Sequence, residues 1–257
     1  MMSRWIIGCV VALCAASLAL AKSSEAAALR ASTQILIVTT QDWNAASGTL
    51  LVYERPLARK KWKAAGSPIQ VVVGKNGLGW GAGIAPEAAR HEAADPIKKE
   101  GDSKSPAGIF HLSTAFGSAA QEPPGWKMPY MYLASSVECV DDAHSKFYNR
   151  VIDRATVAPD WSSSEQMLRP DGEYRWGLVV DHNTEPVTAG AGSCIFLHIW
   201  LGPGVGTTGC TAMAQEQLEG VLARLDPART PLLVQLPRPL YKKLRRRWML
   251  PALPRER

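Results

Sequence analysis

Residues 192–213 read Gly-Ser-Cys-Ile-Phe-Leu-His-Ile-Trp-Leu-Gly-Pro-Gly-Val-Gly-Thr-Thr-Gly-Cys-Thr-Ala-Met. The stretch begins as an apolar run that is typical of a buried strand and contains His198. Glycines from Gly202 to Gly209 then allow the backbone to bend back on itself. The pattern predicts that the Cys210 sulfur returns to within hydrogen-bond reach of the His198 imidazole. A thiol and an imidazole in that relation are candidates for a nucleophile and its general base.

The rest of the chain predicts a mainly β fold. Short runs rich in β-branched residues alternate with Asn, Gly, Ser and Pro. The predicted strands cover residues 34–39, 49–53, 69–73, 107–112, 130–133, 175–180, 194–200 and 232–236. We expect one domain over residues 32–237, a β-sandwich or barrel with a few short helices and loop insertions. The Gly-, Ala- and charge-rich residues 74–104 are interpreted as such an insertion.

Two helices are predicted. Ser162 and Glu165 have the spacing of a capping box, which favours a short helix ending near Leu168. The second helix follows Cys210, because apolar residues recur at helical spacing over residues 218–225. If its first turn lies near Cys210, the positive end of the helix dipole would lower the pKa of the thiol.

The N-terminal residues 1–21 have the order of a secretory signal peptide: a positive charge, an apolar run and small residues. An uncleaved membrane anchor is the alternative. We therefore expect an exported protein of the periplasm or cell envelope. Removal of this segment leaves Cys139, Cys194 and Cys210, an odd number that implies a free thiol or an intermolecular bridge. Cys139 and Cys194 are expected to be structural, and a disulfide between them is left open.

Residues 238–257 form a basic C-terminal tail. The whole chain has a formal net charge of +6, and its positive excess is concentrated here. Because the tail also contains Leu244, Trp248 and Leu250, one expectation is that it lies on an anionic membrane or cell-wall polymer. The alternative is a solvated terminus. Nucleic acid is not an expected partner, since the body of the chain has no basic surface with stacking aromatics.

Two elements resemble the YkuD-type L,D-transpeptidases, bacterial cell-wall enzymes with a catalytic cysteine. The family has a histidine on a strand, a loop and then Ser-His-Gly-Cys followed by an aliphatic residue, Arg and Leu or Met. His198, Gly209-Cys210 and Met213 match that order. Upstream, residues 105–110 read Ser-Pro-Ala-Gly-Ile-Phe and are similar to the family's Thr-Pro-x-Gly-x-Phe. The order of the elements agrees over residues 35–236.

The sequence also departs from the family motif. Thr207-Thr208 stands where the family has Ser-His, and Thr211-Ala212 stands where it has the aliphatic residue and arginine. In the family the arginine is thought to help position the site and an acidic substrate. The departure therefore concerns substrate handling more than the nucleophile.

The resemblance implies acyl transfer on peptidoglycan stem peptides. The cysteine would attack the carbonyl between the L-centre of a diamino acid and D-alanine, release D-alanine and form a thioester. An amine acceptor would give a cross-link, and water would make the protein an L,D-carboxypeptidase. No cofactor or metal is implied. The alternative is a non-catalytic cell-wall peptide-binding protein on the same fold, which the absence of arginine at Ala212 favours.

Each predicted site residue has a chemical role. Cys210 is the nucleophile, and His198 takes its proton and later delivers it to the leaving amine. The amides of Gly209 and Cys210 are predicted oxyanion donors. A carbonyl of the glycine loop is expected to orient the imidazole, with Asp181 as a competitor. The candidate substrate contacts are Thr208, Lys104 and Tyr148.

A metal site is an alternative use of the same residue types. The candidate zinc ligands are His182, Cys194, His198 and Cys210, but none forms the close pairs that are typical of zinc sites. No metal is therefore predicted. Three further histidines, His91, His111 and His182, are expected to be structural.

Overall fold

A computed structural model describes residues 27–84 and 92–254. The predicted signal peptide and His91 lie outside these ranges. The strands are β1 (Gln34–Thr40), β2 (Ser47–Glu54), β3 (Lys63–Ala64), β4 (Ile69–Val72), β5 (Leu78–Trp80), β6 (Ser105–Gly117), β7 (Tyr130–Tyr132), β8 (Val137–Val140), β9 (Val151–Asp153), β10 (Ser164–Gln166), β11 (Trp176–Val180), β12 (Phe196–Ile199), β13 (Thr211–Met213) and β14 (Leu232–Pro237). Residues 27–31 are helical, and the later α-helices are α1 (Gln215–Leu222) and α2 (Arg238–Leu244). Turns of 3-10 helix cover Arg154–Thr156 and Pro227–Arg229.

Eight strands close into a barrel-like sheet. Their order is β1-β14-β6-β11-β12-β13-β4-β2, and β2 pairs back with β1. The pairs β1 with β14 and β12 with β13 are parallel, and the other pairs of the ring are antiparallel. A separate three-stranded sheet has the order β10-β8-β9. The expected mainly β fold with few short helices is confirmed, and closure leaves the ring without a free edge.

The strands β1 and β14, whose sequences are almost continuously apolar, are buried on both faces of the sheet. All residues of β1 and β14 are buried. Their inner faces form the barrel core, and α2 packs against both strands from outside. Burial on two faces removes the polar alternation of a half-exposed strand, as in sheets covered by helices.

Each run predicted to be a strand overlaps an observed strand, and α1 confirms the helix predicted after Cys210. The capping-box helix is wrong, because this segment contains β10, which pairs with β8. The Ser162 hydroxyl donates to Asp142 Oδ2 over 2.7 Å, and Glu165 Oε1 accepts from the Tyr174 hydroxyl over 2.7 Å. The two side chains that suggested a cap therefore bind other parts of the chain.

The C-terminal segment is folded onto the barrel through residue 254. Tyr241, Leu244, Trp248 and Leu250 are buried in the same core as β1 and β14. The Tyr53 hydroxyl also donates to the Ala252 carbonyl over 3.0 Å. The expectation that the apolar residues of this segment lie on a membrane is therefore wrong, because the barrel already covers them. Within the described ranges, no helix has the length and apolar character needed to cross a membrane.

The C-terminal segment is predicted to stabilise the barrel. Trp248 is 1% exposed, whereas the neighbouring Met249 is 49% exposed. Trp248→Ala should lower the free energy of unfolding by about 3 kcal/mol, because it removes a buried aromatic side chain. The matched control Met249→Ala should change it by less than about 0.5 kcal/mol. Urea unfolding checks both values, and equal effects would show that Trp248 does not pack as described.

Candidate functional site

Cys210 and His198 lie on neighbouring parallel strands. His198 is in β12, and Cys210 immediately precedes β13. The register pairs Leu197 with Thr211 and His198 with Ala212, so Cys210 lies beside Phe196. Because side chains alternate along a strand, Phe196 and His198 point to the same face. The Phe196 N–H donates to Cys210 Sγ over 3.3 Å.

Gly177 shapes this face of the sheet. It lies on β11 directly opposite His198. A Cβ on Gly177 would come within 2.1 Å of the Phe116 ring, which packs edge-on against Phe196 with 5.2 Å between ring centroids. Only glycine lets this ring fill the space beside the site.

The two sequence elements of the family resemblance meet at the Cys210 backbone. The Cys210 carbonyl accepts hydrogen bonds from the Ser105 hydroxyl over 2.8 Å and the Thr207 hydroxyl over 2.6 Å. The Gly209 N–H donates to Thr207 Oγ1 over 3.1 Å. The Gly209 N–H therefore already has a hydrogen-bond acceptor within the protein. The oxyanion role of the Gly209 and Cys210 amides stays a prediction.

The Cys210 thiol is buried and protonated. Its side chain belongs to an apolar cluster with Phe116, Tyr174 and Phe196, and Sγ donates to the Cys194 carbonyl over 3.3 Å. Burial raises the pKa of the Cys210 thiol to about 12, and the charge of Glu165 acts in the same direction. The thiol therefore carries its proton at neutral pH.

The His198 imidazole is buried and neutral. Nδ1 lies 2.8 Å from the Ile199 carbonyl, which can only accept, so Nδ1 carries the proton and Nε2 has a free lone pair. Glu173 Oε2 is 3.6 Å from the same nitrogen. Burial lowers the pKa of His198 to about 4. The orienting carbonyl belongs to β12 itself rather than to the glycine loop, and Asp181 instead accepts from the Ser113 hydroxyl over 2.6 Å.

Tyr174 contacts both predicted catalytic residues. Its ring packs edge-on against His198, with 5.2 Å between centroids. Its hydroxyl donates to Glu165 and also acts to lower the pKa of the Cys210 thiol, although burial outweighs that effect. No hydrogen bond joins Cys210 to His198 directly among the described contacts of the two residues. Sequence reasoning missed Tyr174, because no motif marks it.

Arg169 connects the surroundings of the thiol to those of the imidazole. Its guanidinium donates to Glu165 over 3.2 Å, to Asp171 over 2.6 Å and to Glu173 over 3.2 Å. It also lies over the Tyr174 ring, 5.1 Å from the centroid. The spacing of residues 165, 169 and 173 by four suggests one face of a helix, but none of the three lies on one. The sequence could therefore not indicate this network.

The predicted substrate contacts lie in different environments. Thr208 is exposed and adjoins Gly209. The Lys104 ammonium donates to the Asn76 carbonyl over 2.5 Å. Tyr148 is buried, and its hydroxyl donates to Glu100. Only Thr208 is adjacent to the nucleophile and open to solvent, and all three roles stay predictions.

A buried lysine that the sequence analysis missed lies near the thiol. The Lys98 ammonium bonds Asp102 Oδ1 over 2.6 Å, and the side chain is 3% exposed. It lies 3.8 Å from the position that a Cβ on Gly209 would take. Its positive charge acts to lower the pKa of the Cys210 thiol, against the larger effect of burial.

The candidate metal ligands do not form a metal-binding group in the described residues. Cys139 and Cys194 form a disulfide with a Cα–Cα distance of 5.9 Å. The Cys194 sulfur is therefore not a free metal ligand. The described part of the chain contains no group of three or more His, Cys, Asp or Glu residues that could hold a metal ion. His182 is buried, with Nε2 3.1 Å from the Ala191 carbonyl and Nδ1 without a partner.

The dipole of α1 does not reach the thiol, so that expectation is wrong. The strand β13 separates Cys210 from Ala214, the residue that precedes the helix. Four residues in extended conformation span about 13 Å. A helix terminus affects charges only within its first turn.

Comparisons with known proteins leave the family open. No family model matches the sequence, and no curated protein matches it. A structural comparison matches the chain to the helical cell shape determining protein Pgp2 from Campylobacter jejuni, with a TM-score of 0.39 and 14% sequence identity. The match covers 83% of this chain and 54% of Pgp2, so the chain spans about half the length of that protein. A likeness at this level assigns neither a family nor a function.

The two buried histidines predict acid sensitivity. Burial lowers the pKa of both His182 and His198 from 6.5 to about 4. The unfolded chain binds these protons more tightly, so the stability is complete above about pH 6.5 and is lost as the pH falls towards 4. Each histidine should contribute a loss of up to about 3 kcal/mol. Urea unfolding between pH 4 and 7 checks this, and His182→Gln should reduce the loss. An unchanged pH dependence in that variant would contradict the assignment.

Proposed function

We propose that the protein is a cysteine acyltransferase in which Cys210 is the nucleophile and His198 the general base. The observation that carries the proposal is the shared contact of both residues with Tyr174 on one face of β12 and β13. The free lone pair of His198 Nε2 supports the role of base. The Ser105 hydroxyl, which fixes the Cys210 carbonyl, adds support from the second element of the family resemblance.

The electrostatics favour proton transfer during the reaction over a resting thiolate. Both groups are neutral at pH 7, because burial penalises the charged form of each. The thiol proton must therefore pass to His198 as sulfur attacks the carbonyl carbon. The resulting imidazolium then protonates the leaving amine, and a thioester remains on Cys210. The acyl group finally passes to an amine or to water, and the thiol is restored.

We propose peptidoglycan stem tetrapeptides as the donors, with D-alanine as the leaving group. The basis is the family resemblance of the segments around Cys210 and Ser105. An amine acceptor makes the protein an L,D-transpeptidase, and water makes it an L,D-carboxypeptidase. Either activity belongs in the periplasm or cell envelope, which agrees with the signal-peptide pattern of residues 1–21. A non-catalytic cell-wall peptide-binding protein is the second candidate, because Ala212 replaces the family arginine.

Intact-mass measurement separates the enzyme from the binding protein. Incubation with a stem tetrapeptide or a carbapenem should add an acyl group to Cys210, and Cys210→Ser should abolish the adduct. His198→Ala should slow its formation by about 100-fold or more, since a positioned general base contributes that much. The matched control is Tyr53→Phe, which removes a distant hydrogen bond to the Ala252 carbonyl and should leave the rate unchanged.

Two results would contradict this proposal. One is a folded wild-type protein that binds the tetrapeptide without acylation by either probe, which supports the binding protein. The other is an adduct that persists in Cys210→Ser, which rules out the nucleophile. Analysis of the released product with and without an amine acceptor distinguishes the transpeptidase from the carboxypeptidase.

The basic C-terminal surface supports a second proposal, attachment to an anionic membrane or cell-wall polymer. Lys242, Arg246 and Arg247 remain exposed, although the neighbouring apolar residues Leu244 and Trp248 are buried. Truncation would remove Tyr241 and Trp248 from the core, so charge reversal is the cleaner change.

Arg246→Glu/Arg247→Glu should weaken co-sedimentation with sacculi or anionic vesicles at low salt and leave acylation by a soluble donor unchanged. Attraction of the wild type should fade as salt shortens the screening length to about 3 Å near 1 M. The matched control is Arg246→Lys/Arg247→Lys, which keeps the charge. Equal, salt-insensitive sedimentation of all three proteins would contradict the proposal.

A further inference from the structure

Residues 192–194 are held by polar side chains from several loops. The Gly192 N–H donates to the Tyr148 hydroxyl over 3.2 Å, the Asn183 amide to the Gly192 carbonyl over 3.0 Å, the Ser193 hydroxyl to Glu100 over 2.7 Å, and the Cys194 N–H to Asn149 Oδ1 over 2.9 Å. Such a concentration of contacts on three consecutive residues fixes their backbone. We call this segment the thiol clamp.

The disulfide completes the clamp. It joins Cys194 to Cys139 on β8, which belongs to the separate three-stranded sheet. The Cys194 backbone has a φ of 55°, in the left-handed region that is unfavourable for a residue with a Cβ. The bridge and the Asn149 contact both act on this residue and support its conformation.

The conformation of Cys194 matters because its carbonyl accepts a hydrogen bond from the Cys210 thiol, with 3.3 Å between Sγ and the oxygen. An acceptor of this kind stabilises the protonated sulfur. The Phe196 N–H lies equally close and stabilises the ionised sulfur. Phe196 is on β12 and keeps its place through pairing with β11, whereas the Cys194 carbonyl depends on the clamp. Opening the clamp would remove the acceptor and leave the donor.

We propose that the Cys139–Cys194 disulfide positions the resting nucleophile, and that its cleavage by a dithiol makes Cys210 more reactive. In the cleavage, a dithiol supplies two electrons and two protons, the bridge becomes two thiols and the dithiol becomes a disulfide. A cavity of about 190 Å³ lined by Cys139, Asn149 and Cys194 adjoins the bridge. The proposal concerns the reactivity of the thiol and does not depend on the acyl transfer proposed above.

Several other groups act on the same sulfur. Glu165 on β10 disfavours ionisation, and Lys98 favours it. Tyr174 lies in the same apolar cluster as Cys210, and His198 packs against the Tyr174 ring. None of these residues is substituted in the test below, although Glu165 lies directly opposite Cys139 in the β8–β10 pair.

The test measures the rate at which iodoacetamide alkylates Cys210 in the full chain between pH 6 and 11, by mass spectrometry of the Cys210 peptide. Cys139→Ala/Cys194→Ala should shift the pH profile down by about one unit and raise the rate at pH 7 about tenfold. The wild type reduced with dithiothreitol should shift in the same direction. An unchanged profile in the folded double variant would overturn the proposal.

Two single variants keep the test decisive if the double variant does not fold. Asn149→Ala removes the acceptor of the Cys194 N–H but keeps the bridge, and it should give a smaller shift in the same direction. Tyr53→Phe removes a distant hydrogen bond to Ala252 and should leave the profile unchanged. A profile unchanged in Asn149→Ala, or shifted equally in Tyr53→Phe, would overturn the proposal. Because alkylation is measured without a donor, failure here is distinct from failure of acyl transfer.

Discussion

The parallel pairing of β12 with β13 is the interaction on which the site depends. It brings Cys210 beside Phe196 and sets His198 on the same face of the sheet. Along the chain, a long glycine-containing loop separates His198 from Cys210. Parallel strands need a crossover connection, and here the loop through Gly202 and Gly209 provides it. The barrel holds this pair from both sides, with β11 beside β12 and β4 beside β13.

Burial determines how the thiol and imidazole can work together. It keeps both neutral, so the site combines a weak acid with a weak base instead of an ion pair. A reacting carbonyl would therefore meet a thiol that still carries its proton. Such a thiol is also protected from oxidation, which follows thiolate character and exposure.

The sequence predicted the features that local patterns encode. β-branched runs such as residues 34–39 mark strands by composition alone, and the order of His198, the loop and Cys210 identified the candidate pair. It failed where distant contacts decide the outcome. Ser162 and Glu165 have the spacing of a helix cap, yet Asp142 and Tyr174 bind them from other parts of the fold. Arg169 and Tyr174 likewise gain their roles only through the three-dimensional arrangement.

The pairing of β1 with β14 has a consequence for how the chain acquires its structure. The first and last strands of the barrel are neighbours, and α2, which covers both, follows β14. Contacts between such distant parts of a chain slow folding, because a long loop must close before any contact is gained. The ring cannot close until β14 has been synthesised. Until then, β2 can pair with one edge of β1, but the edge that later binds β14 stays unpaired, and an unpaired apolar strand edge favours aggregation.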